Sequence, residues 1–266
     1  MRYIAVTVIC YNNENEVLDF AKNLSRQSLI DHIQLLVTCN LCNDIKDFRN
    51  KLTQIIPSVM VFDPGKNLGY LPGCLYGIEK SQGNYSWVMI SNTDISFPQE
   101  NYFEIALAGI SDEIWCIGPC IKLAKSGECQ NPFLIKRPSK ARINLWCLIY
   151  SCYSFFRVYF MLHSMKKEKI VKDLCSQIVY AVHGSCFFLK KDCVSKIIGE
   201  KIKIFMYGEE LLVAELVREC EKKCWVNLNA VVLHNENRVT SKIGSKKKQF
   251  WFNQSFSYLK ERFFNV

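Results

Sequence analysis

The chain has 266 residues, enough for one large α/β domain and too few for two comfortable ones. Hydrophobic residues make up 49% and charged residues 22%, a composition that excludes a disordered chain. The formal net charge of +9 favours a partner that carries phosphate, such as nucleic acid, anionic lipid or a nucleotide, and chooses none of the three.

The sequence opens with an apolar, β-rich run over residues 3–10, which is typical of a buried parallel strand and lacks the small-residue cleavage site of a signal peptide. We therefore expect a cytoplasmic protein whose 14 cysteines stay reduced. Cys39 and Cys42 have the spacing of a redox or zinc pair. No second pair of this spacing follows, so the sequence does not favour a metal or redox role for them.

Extended and helical segments alternate along most of the chain. After the first strand we predict a helix over Glu16–Leu29, a strand over Ile33–Val37, a helix ending near Ile56, a strand over Ser58–Phe62, a helix over Gly73–Lys80 and a strand over Tyr85–Ile90. Further along, the pattern predicts a strand over Ile178–Leu189, a helix over Leu211–Glu221 and a strand over Trp225–Leu233. The alternation calls for one α/β domain with a doubly wound, mostly parallel central sheet.

An apolar, aromatic-rich segment, Leu145–Leu162, interrupts this pattern. It carries one charged residue, Arg157, and basic residues flank it on both sides. Its length would permit a marginal membrane span, but a span would separate the motifs before it from those after it. We therefore predict a helical insert that lies in the membrane interface, with its lysines on anionic headgroups. A buried helical hairpin or a contact between subunits is the alternative.

The C-terminal segment, Lys246–Phe264, mixes aromatic residues with lysine and arginine. This composition predicts a basic amphipathic helix. It suits either a membrane surface or packing against the domain.

Two segments after predicted strands carry residues suited to a phosphorylated ligand. Asn67 and Gly69 precede Gly73, which opens a helix; glycines let a backbone approach closely, and a helix N-terminus favours an anion such as a diphosphate. Asp94 follows an apolar strand, where ligands bind in open α/β sheets, and could hold a divalent cation with Asn92 beside it. A plain strand-to-helix turn and a turn-capping Asp explain the same residues without a ligand.

Two further segments carry titratable groups. Glu209 and Glu210 stand at the start of a predicted helix, where either could take a proton from an attacking hydroxyl group or simply cap the helix. His234 ends a predicted strand, where an imidazole could complete a metal site or be structural.

In this order, these segments resemble the motifs of the family 2 glycosyltransferases of the GT-A fold, especially the bacterial rhamnosyltransferase-like members. The matching segments are Val8–Asn12, Asn67–Gly69 with Gly73, Ser91–Asp94, His183–Cys186, Tyr207–Glu210 and Val232–His234. The likeness covers roughly residues 3–238. The family's second strand usually ends in an Asp that contacts the nucleotide base, and this chain has Cys39 there.

The resemblance implies a role for each matching position. Asp94 would hold Mg²⁺ or Mn²⁺ at the diphosphate of a nucleotide-diphosphate sugar, with His234 as a second ligand. Glu210 would be the catalytic base, with Glu209 as its rival. The remaining donor-binding positions would be Tyr11, Asn40, Asn67, Gly69, Gly73 and Asn92.

The resemblance also implies an activity. It is an inverting transfer from a dTDP- or UDP-sugar to a lipid-linked oligosaccharide in bacterial surface polysaccharide synthesis, such as O-antigen or capsule assembly, at the inner face of the plasma membrane. Rhamnose is the sugar that the likeness suggests, and galactose, glucose and galactofuranose remain open. Residues 1–95 would form the nucleotide-sugar half, residues 96–238 the acceptor half with an insert at about 139–172, and residues 239–266 a basic tail.

Two other functions are weighed against this one. A nucleotidyltransferase would show a glycine-rich, basic loop after the first strand, whereas Tyr11–Glu16 is acidic and lacks glycine. A nucleic-acid-binding protein would fit the net charge, but the basic residues cluster beside aromatic residues in the insert and the tail and not along a reading element. We therefore expect no nucleic-acid partner.

Overall fold

The structure is a computed structural model that describes residues 4–165, 175–235 and 244–265, with the backbone alone for residues 163–165. The strands are β1 Ile4–Tyr11, β2 Ile33–Leu41, β3 Met60–Phe62, β4 Trp87–Ser91, β5 Ile95–Ser96, β6 Ile114–Leu123, β7 Gln177–Val179, β8 Cys186–Lys190 and β9 Lys223–His234. The α-helices are α1 Glu14–Leu24, α2 Ile45–Ile55, α3 Leu71–Ser81, α4 Tyr102–Leu107, α5 Lys140–Ser151, α6 Tyr153–Met165, α7 Lys191–Ile198, α8 Glu209–Glu219 and α9 Ser245–Leu259, which a π-helical turn, Lys260–Phe264, extends. A short 3₁₀ turn, Ile30–His32, precedes β2.

All nine strands belong to one sheet. Its order is β3-β2-β1-β4-β8-β6-β9-β5, and β7 pairs with β9. The strands from β3 to β4 run parallel, as the alternation of strands and helices predicts, and β6 is parallel to β9. Strand β8 is antiparallel to both of its neighbours, β4 and β6. Strands β5 and β7 are both antiparallel to β9. The sheet continues past residue 95, because β4 pairs with β8, and the division of the chain into donor and acceptor halves stays a prediction.

Helices cover both faces of the sheet, which therefore has a hydrophobic core on each side. Successive side chains of a strand point to opposite faces, so in β1 Ala5 belongs to one core while Val6 and Val8 belong to the other. Helices α1, α2 and α4 bury their apolar stripes in the core of Val6. Helices α3, α5, α7, α8 and α9 pack in the core of Ala5. This layering explains why the strands read as continuous apolar runs.

Three predicted elements differ from those observed. Helix α1 ends at Leu24 and not at Leu29, because Ser28 N–H donates to Glu100 O at 2.9 Å and ties the chain to a distant loop. The predicted strand Ile178–Leu189 is two strands, β7 and β8. The single helix predicted over Leu145–Leu162 is broken at Cys152.

Sequence analysis did not predict α4, β5, β6 and α7, which all appear in the structure. Strand β6 is central, since it lies between β8 and β9. Its residues Gly118 and Pro119 break the strand pattern, and a register shift follows Pro119 in the pairing with β9.

The insert packs partly on the domain and partly faces solvent. Tyr150 and Phe156, on either side of the break, are buried against Phe252 and Phe256 of α9. Leu148 and Phe155 are 58% and 53% exposed. Within the described part of the chain, no one helix has the length and apolarity to cross a membrane; Lys140–Ser151 and Tyr153–Leu162 meet those criteria only as a pair, bent by 114°.

The C-terminal helix forms as predicted and packs against the domain. Trp251, Phe256 and Leu259 are buried along α9, and Phe263 and Phe264 follow in the π-helical turn. The basic side chain of Arg137 crosses the same region, donating to Phe263 O at 3.0 Å. The sequence allowed this helix to lie on a membrane surface or to pack against the domain. The structure shows that its apolar face packs against the domain.

Candidate active site

Asp94 and His234 meet because of strand pairing. Asp94 lies between β4 and β5, and β5 is antiparallel to β9, with Ile95 opposite His234. Asn235 N–H donates to Asp94 O at 3.0 Å and closes this end of the ladder. The side chains of Asp94 and His234 are 12% and 7% exposed, and Oδ1 of the carboxylate lies 3.2 Å from Nε2 of the imidazole. Two side chains 140 positions apart in the chain are thus neighbours in the fold.

The hydrogen bonds around His234 leave this pair suited to a cation. Nδ1 of His234 lies 2.7 Å from Oε1 of Gln130. A carboxamide oxygen only accepts, so Nδ1 carries the proton and Nε2 of a neutral imidazole presents a lone pair. Oδ1 of Asp94, which this lone pair faces, has no hydrogen-bond donor among the described residues. A carboxylate oxygen and an imidazole nitrogen are both ligands for Mn²⁺, and the carboxylate also suits Mg²⁺.

A hydrogen-bonded cluster on the other side of Asp94 fixes the loop that carries it. Nδ2 of Asn13 donates to Glu16 at 2.8 Å and to Oγ1 of Thr93 at 2.9 Å, and Thr93 also contacts the Glu16 carboxylate. Asn92 N–H donates to Ser185 O at 2.7 Å. These contacts join the turn after β1, the turn after β4 and the turn before β8. Asn92 therefore positions this loop through its backbone.

The break between β7 and β8 brings a second histidine into the site. His183 N–H donates to Oδ1 of Asn131 at 2.7 Å, and Nδ1 of His183 lies 2.9 Å from Oγ of Ser185. Its ring centroid is 6.4 Å from that of His234. Burial, with a smaller effect of His234, lowers the pKa of His183 to about 4, so the imidazole is neutral near pH 7. Sequence analysis placed His183 inside a strand. The glycine and serine that follow it favour a turn, and this sequence could have indicated the break in the strand.

Glu209 and Glu210 form the first turn of α8, as the sequence predicts. Gly208 precedes them with φ 92°, a conformation that favours glycine. Gly184 faces them, and a Cβ atom there would lie 2.8 Å from Oε1 of Glu210. The absence of a side chain at Gly184 is therefore what lets the Glu210 carboxylate approach the segment that carries His183.

The two carboxyl groups differ in their environments. Burial raises the pKa of Glu209 to about 8, and the negative charge of Glu210 contributes to this rise. Oε2 of Glu209 has no hydrogen-bond partner among the described residues. Burial also raises the pKa of Glu210. Backbone N–H groups favour the ionised form of both carboxyl groups, three of them at Glu210 and two at Glu209. Near neutral pH, Glu209 therefore holds the proton and Glu210 is the better candidate for the ionised carboxylate.

The turn before α3 is held by residues that sequence analysis assigned to the donor. Nδ2 of Asn40 donates to Gly69 O at 2.7 Å, and its Oδ1 accepts from Leu68 N–H at 3.1 Å. Oδ1 of Asn67 accepts from Gly69 N–H at 2.9 Å. Both side chains thus shape the turn, and a contact of either with a ligand stays a prediction.

The glycines of this turn are required by packing. Gly69 has φ 87°, and a Cβ atom there would lie 2.0 Å from Phe205 O. At Gly73, a Cβ atom would lie 2.8 Å from Cδ1 of Ile9. The structure therefore gives both glycines a role within the chain, whether or not an anion binds at this helix.

The structure groups the predicted residues into two neighbouring sets. Asp94, His234 and the two glutamates are linked through the His183–Ser185 segment, and Oη of Tyr70 donates to Gly184 O at 3.0 Å. The second set surrounds the ends of β1 and β2. It comprises Tyr11, which is 38% exposed, with Asn40, Asn67, Gly69 and Gly73. The Asp94–His234 pair and the Glu209–Glu210 pair thus lie next to the rim of the site, which is formed by the carboxyl ends of β1 and β2.

Solved structures share this fold. No protein-family model matches the sequence, and no curated protein does. A mannosyltransferase from Pyrobaculum calidifontis, PcManGT, in complex with GDP-Man and Mn²⁺, is similar with a TM-score of 0.57 and 11% identity over 98% of this chain and 71% of its own. GalNAc-T7 with UDP, GalNAc and Mn²⁺ is similar with a TM-score of 0.68 and 12% identity over 98% of this chain and 48% of its own. The chain thus spans about half of the second structure.

These similarities confirm the predicted α/β fold of the GT-A type, and the structure of this chain itself shows the predicted helical insert and C-terminal helix. Sequence identity at this level shows the fold alone.

Proposed function

We propose that the chain is a metal-dependent glycosyltransferase that moves a sugar from a nucleotide-diphosphate sugar to an acceptor hydroxyl group. The observation that carries the proposal is the Asp94–His234 pair, in which a buried carboxylate oxygen and an imidazole nitrogen, both metal-ligand atoms, lie 3.2 Å apart. Two solved glycosyltransferases of the same fold, both with Mn²⁺, support it.

The residues of the site suggest how each would act. Asp94 and His234 would hold Mg²⁺ or Mn²⁺, and Gln130 would keep Nε2 of His234 free for it. A cation held by this pair would stabilise the negative charge that develops on the leaving diphosphate. His183, neutral near pH 7, adds no competing charge beside the pair.

Glu210 is our candidate for the general base. Its pKa is raised by burial, which strengthens it as a base, and three backbone N–H groups hold it ionised. Glu209, with a pKa of about 8, stays protonated near neutral pH. Removal of the acceptor proton by Glu210 opposite the leaving diphosphate would give a direct displacement, which inverts the anomeric configuration.

The proposal also specifies the donor and the acceptor. We propose a dTDP- or UDP-sugar as donor, with rhamnose as the first sugar to test and galactose, glucose and galactofuranose as the others, on the basis of the motif resemblance. We propose a lipid-linked glycan acceptor of bacterial surface polysaccharide synthesis, at the cytoplasmic face of the membrane. The exposed apolar side chains of α5 and α6 support a membrane contact.

The donor site is tested by thermal unfolding with UDP, dTDP and GDP, each with and without Mn²⁺. A ligand that binds the folded state raises the midpoint, so one nucleotide should raise it only in the presence of Mn²⁺. Asp94→Asn should abolish this rise, and Asp19→Asn, at an exposed position of α1, should not. A nucleotide shift that persists in Asp94→Asn without metal would contradict the assignment of the pair.

The base is tested by turnover with the nucleotide-sugar that this screen identifies. Glu210→Gln should lower kcat by about 10²–10⁴-fold, the usual contribution of a general base. Glu209→Gln should lower it far less, because Glu209 is already protonated near neutral pH. Equal losses in the two variants would overturn the assignment of Glu210.

A further inference from the structure

Three cysteines converge at the carboxyl ends of β1 and β2. Cys10 and Cys39 are directly opposite each other in the parallel register of these strands, and Cys42 follows in the turn after β2. The three Sγ atoms all lie within 4.8 Å of one another. The sequence shows Cys39 and Cys42 as an isolated pair, and strand pairing adds the third sulfur.

The spacing of these sulfurs is close to that of a zinc–thiolate site. Zn–S bonds of about 2.3 Å in a tetrahedron place neighbouring sulfurs about 3.8 Å apart. The cluster therefore needs side-chain shifts of no more than about 1 Å to close on an ion. Cys10 and Cys39 are buried, while Cys42 is half-buried and leaves a route of entry.

A helix N-terminus and a carboxylate lie beside the cluster. The cluster lies at the N-terminus of the 11-residue helix α1, where the helix dipole stabilises negative charge. Glu14, in the first turn of α1, accepts from Asn43 N–H at 2.9 Å and contacts the Cys42 thiol, so its carboxylate could supply a fourth ligand.

We propose that Cys10, Cys39 and Cys42 form a thiolate site for a soft divalent cation of the zinc class, separate from the Asp94–His234 pair. Binding releases the thiol protons to solvent. The ion joins the ends of β1 and β2 beside Tyr11 and Asn40, and so fixes the rim at which these strands end. The proposal does not depend on the proposed function, since it concerns other residues and a different kind of metal.

The test is metal analysis of the full chain, purified under reducing conditions with Zn²⁺ and then dialysed. We expect about one tightly held zinc ion per chain. Replacement by Co²⁺ should give the charge-transfer absorption of thiolate-bound cobalt, which ligands such as Asp94 and His234 cannot produce. Cys42→Ser should weaken zinc binding by more than about 100-fold and abolish this absorption.

Three variants separate the cluster from other metal sites and from misfolding. Cys220→Ser, at a half-buried cysteine outside the cluster, and Asp94→Ala should both keep the zinc ion and the cobalt absorption. Circular dichroism should show that Cys42→Ser keeps its helix content. Cys39→Ser should reproduce the loss seen with Cys42→Ser.

Several results would overturn the proposal. One is wild-type protein that binds no zinc after reduction. Another is zinc that Cys42→Ser and Cys39→Ser retain. The third is a disulfide between two of the three cysteines, found by peptide mapping of freshly purified protein, because oxidised sulfurs cannot hold the ion.

Discussion

Asp94 and His234 show how one hydrogen bond can set the chemistry of a site. Oε1 of Gln130 lies 2.7 Å from Nδ1 of His234, and in the tautomer that carries its proton on Nδ1 the Nε2 lone pair faces the carboxylate. Gln130 touches no reacting group in this scheme and acts through His234, so it is a positioning residue. Its effect should therefore appear in metal affinity.

Replacing Gln130 by alanine should weaken Mn²⁺ binding. Without its acceptor, the imidazole loses its fixed tautomer, and loss of such a partner typically costs about 10–100-fold in metal affinity. Isothermal titration with Mn²⁺ and the nucleotide identified by thermal unfolding measures this change. Gln54→Ala, on the exposed face of α2, is the control and should bind as the wild type does. Unchanged affinity in Gln130→Ala would remove Gln130 from the site.

Glu209 should make the stability of the protein depend on pH. Its pKa is raised from about 4 in the unfolded chain to about 8 in the fold, so between these values the folded state holds a proton that the unfolded state has lost. The contribution of Glu209 to the free energy of unfolding is therefore greatest below pH 4. It falls by at most about 1 kcal/mol per pH unit as the pH rises towards 8, and it no longer changes above pH 8. In Glu209→Gln this decline should disappear.

Thermal unfolding of the wild type and of Glu209→Gln between pH 5 and pH 9 measures the difference. The variant should gain stability relative to the wild type as the pH rises, and the gain should level off above about pH 8. Parallel curves for the two proteins would show that Glu209 ionises in the fold as it does in water.

At the scale of elements, an ion-pair network around one buried carboxylate joins parts of the chain that are distant in sequence. Glu215 of α8 is fully buried and accepts from Nε of Arg137 at 2.7 Å and from Oη of Tyr180 at 2.7 Å. Arg218, one turn along α8, also donates to it, at 2.8 Å. Arg137 in turn donates to Phe263 O. The network thus ties the segment before α5, the end of β7 and the C-terminal turn to α8.

Glu215→Gln should destabilise the fold. A carboxylate that accepts several charged hydrogen bonds contributes about 2–3 kcal/mol, and the arginines, 38% and 51% exposed, can return partly to water. Urea unfolding measures the loss. Glu113→Gln is the matched control, since its ion pair with Lys223 is exposed and screened by solvent, so this variant should lose far less stability. Equal losses in the two variants would show that burial gives Glu215 no special weight.

At the scale of the whole molecule, the broken insert leaves an apolar surface on helices α5 and α6. Its large side chains, each at least 51% exposed, are Leu145, Leu148, Phe155, Val158, Met161 and Leu162. The break at Cys152 lets Tyr150 and Phe156 both reach α9 while these residues stay outside. Basic residues close by, such as Arg142 and Arg157, would attract anionic lipid.

Vesicle binding tests this surface. Changing both Leu148 and Phe155 to Gln should weaken binding to vesicles that contain anionic lipid by about tenfold or more, because each side chain would lose its apolar burial in the interface. Leu41→Gln, at another exposed position on the end of β2, should bind as the wild type does. Sedimentation with vesicles measures both. Equal binding by the double variant and the wild type would assign the surface to another contact.

The sequence by itself determined the elements whose pattern is local. Strand β1 is apolar except at Thr7 because it is buried on both faces, and α2 and α9 keep an apolar stripe at helical spacing, so periodicity reveals them. Motif order then indicated the GT-A type fold and selected Asp94, Glu209, Glu210 and His234. Some elements were not predicted from the sequence. In β6, for example, Gly118 and Pro119 interrupt the apolar pattern of the strand.

Only the tertiary structure decided which of these residues meet. A pattern of one strand carries no information on the register of its partners, so neither the pairing of β5 with β9, which brings Asp94 to His234, nor that of β1 with β2, which brings Cys10 to Cys39, could be derived from it. The same holds for His183, which enters the site because the hydrogen bond of its N–H to Asn131 and the backbone hydrogen bonds between Ala181 and Leu134 interrupt the predicted strand. Local periodicity fixes where a side chain points, and long-range pairing fixes what it faces.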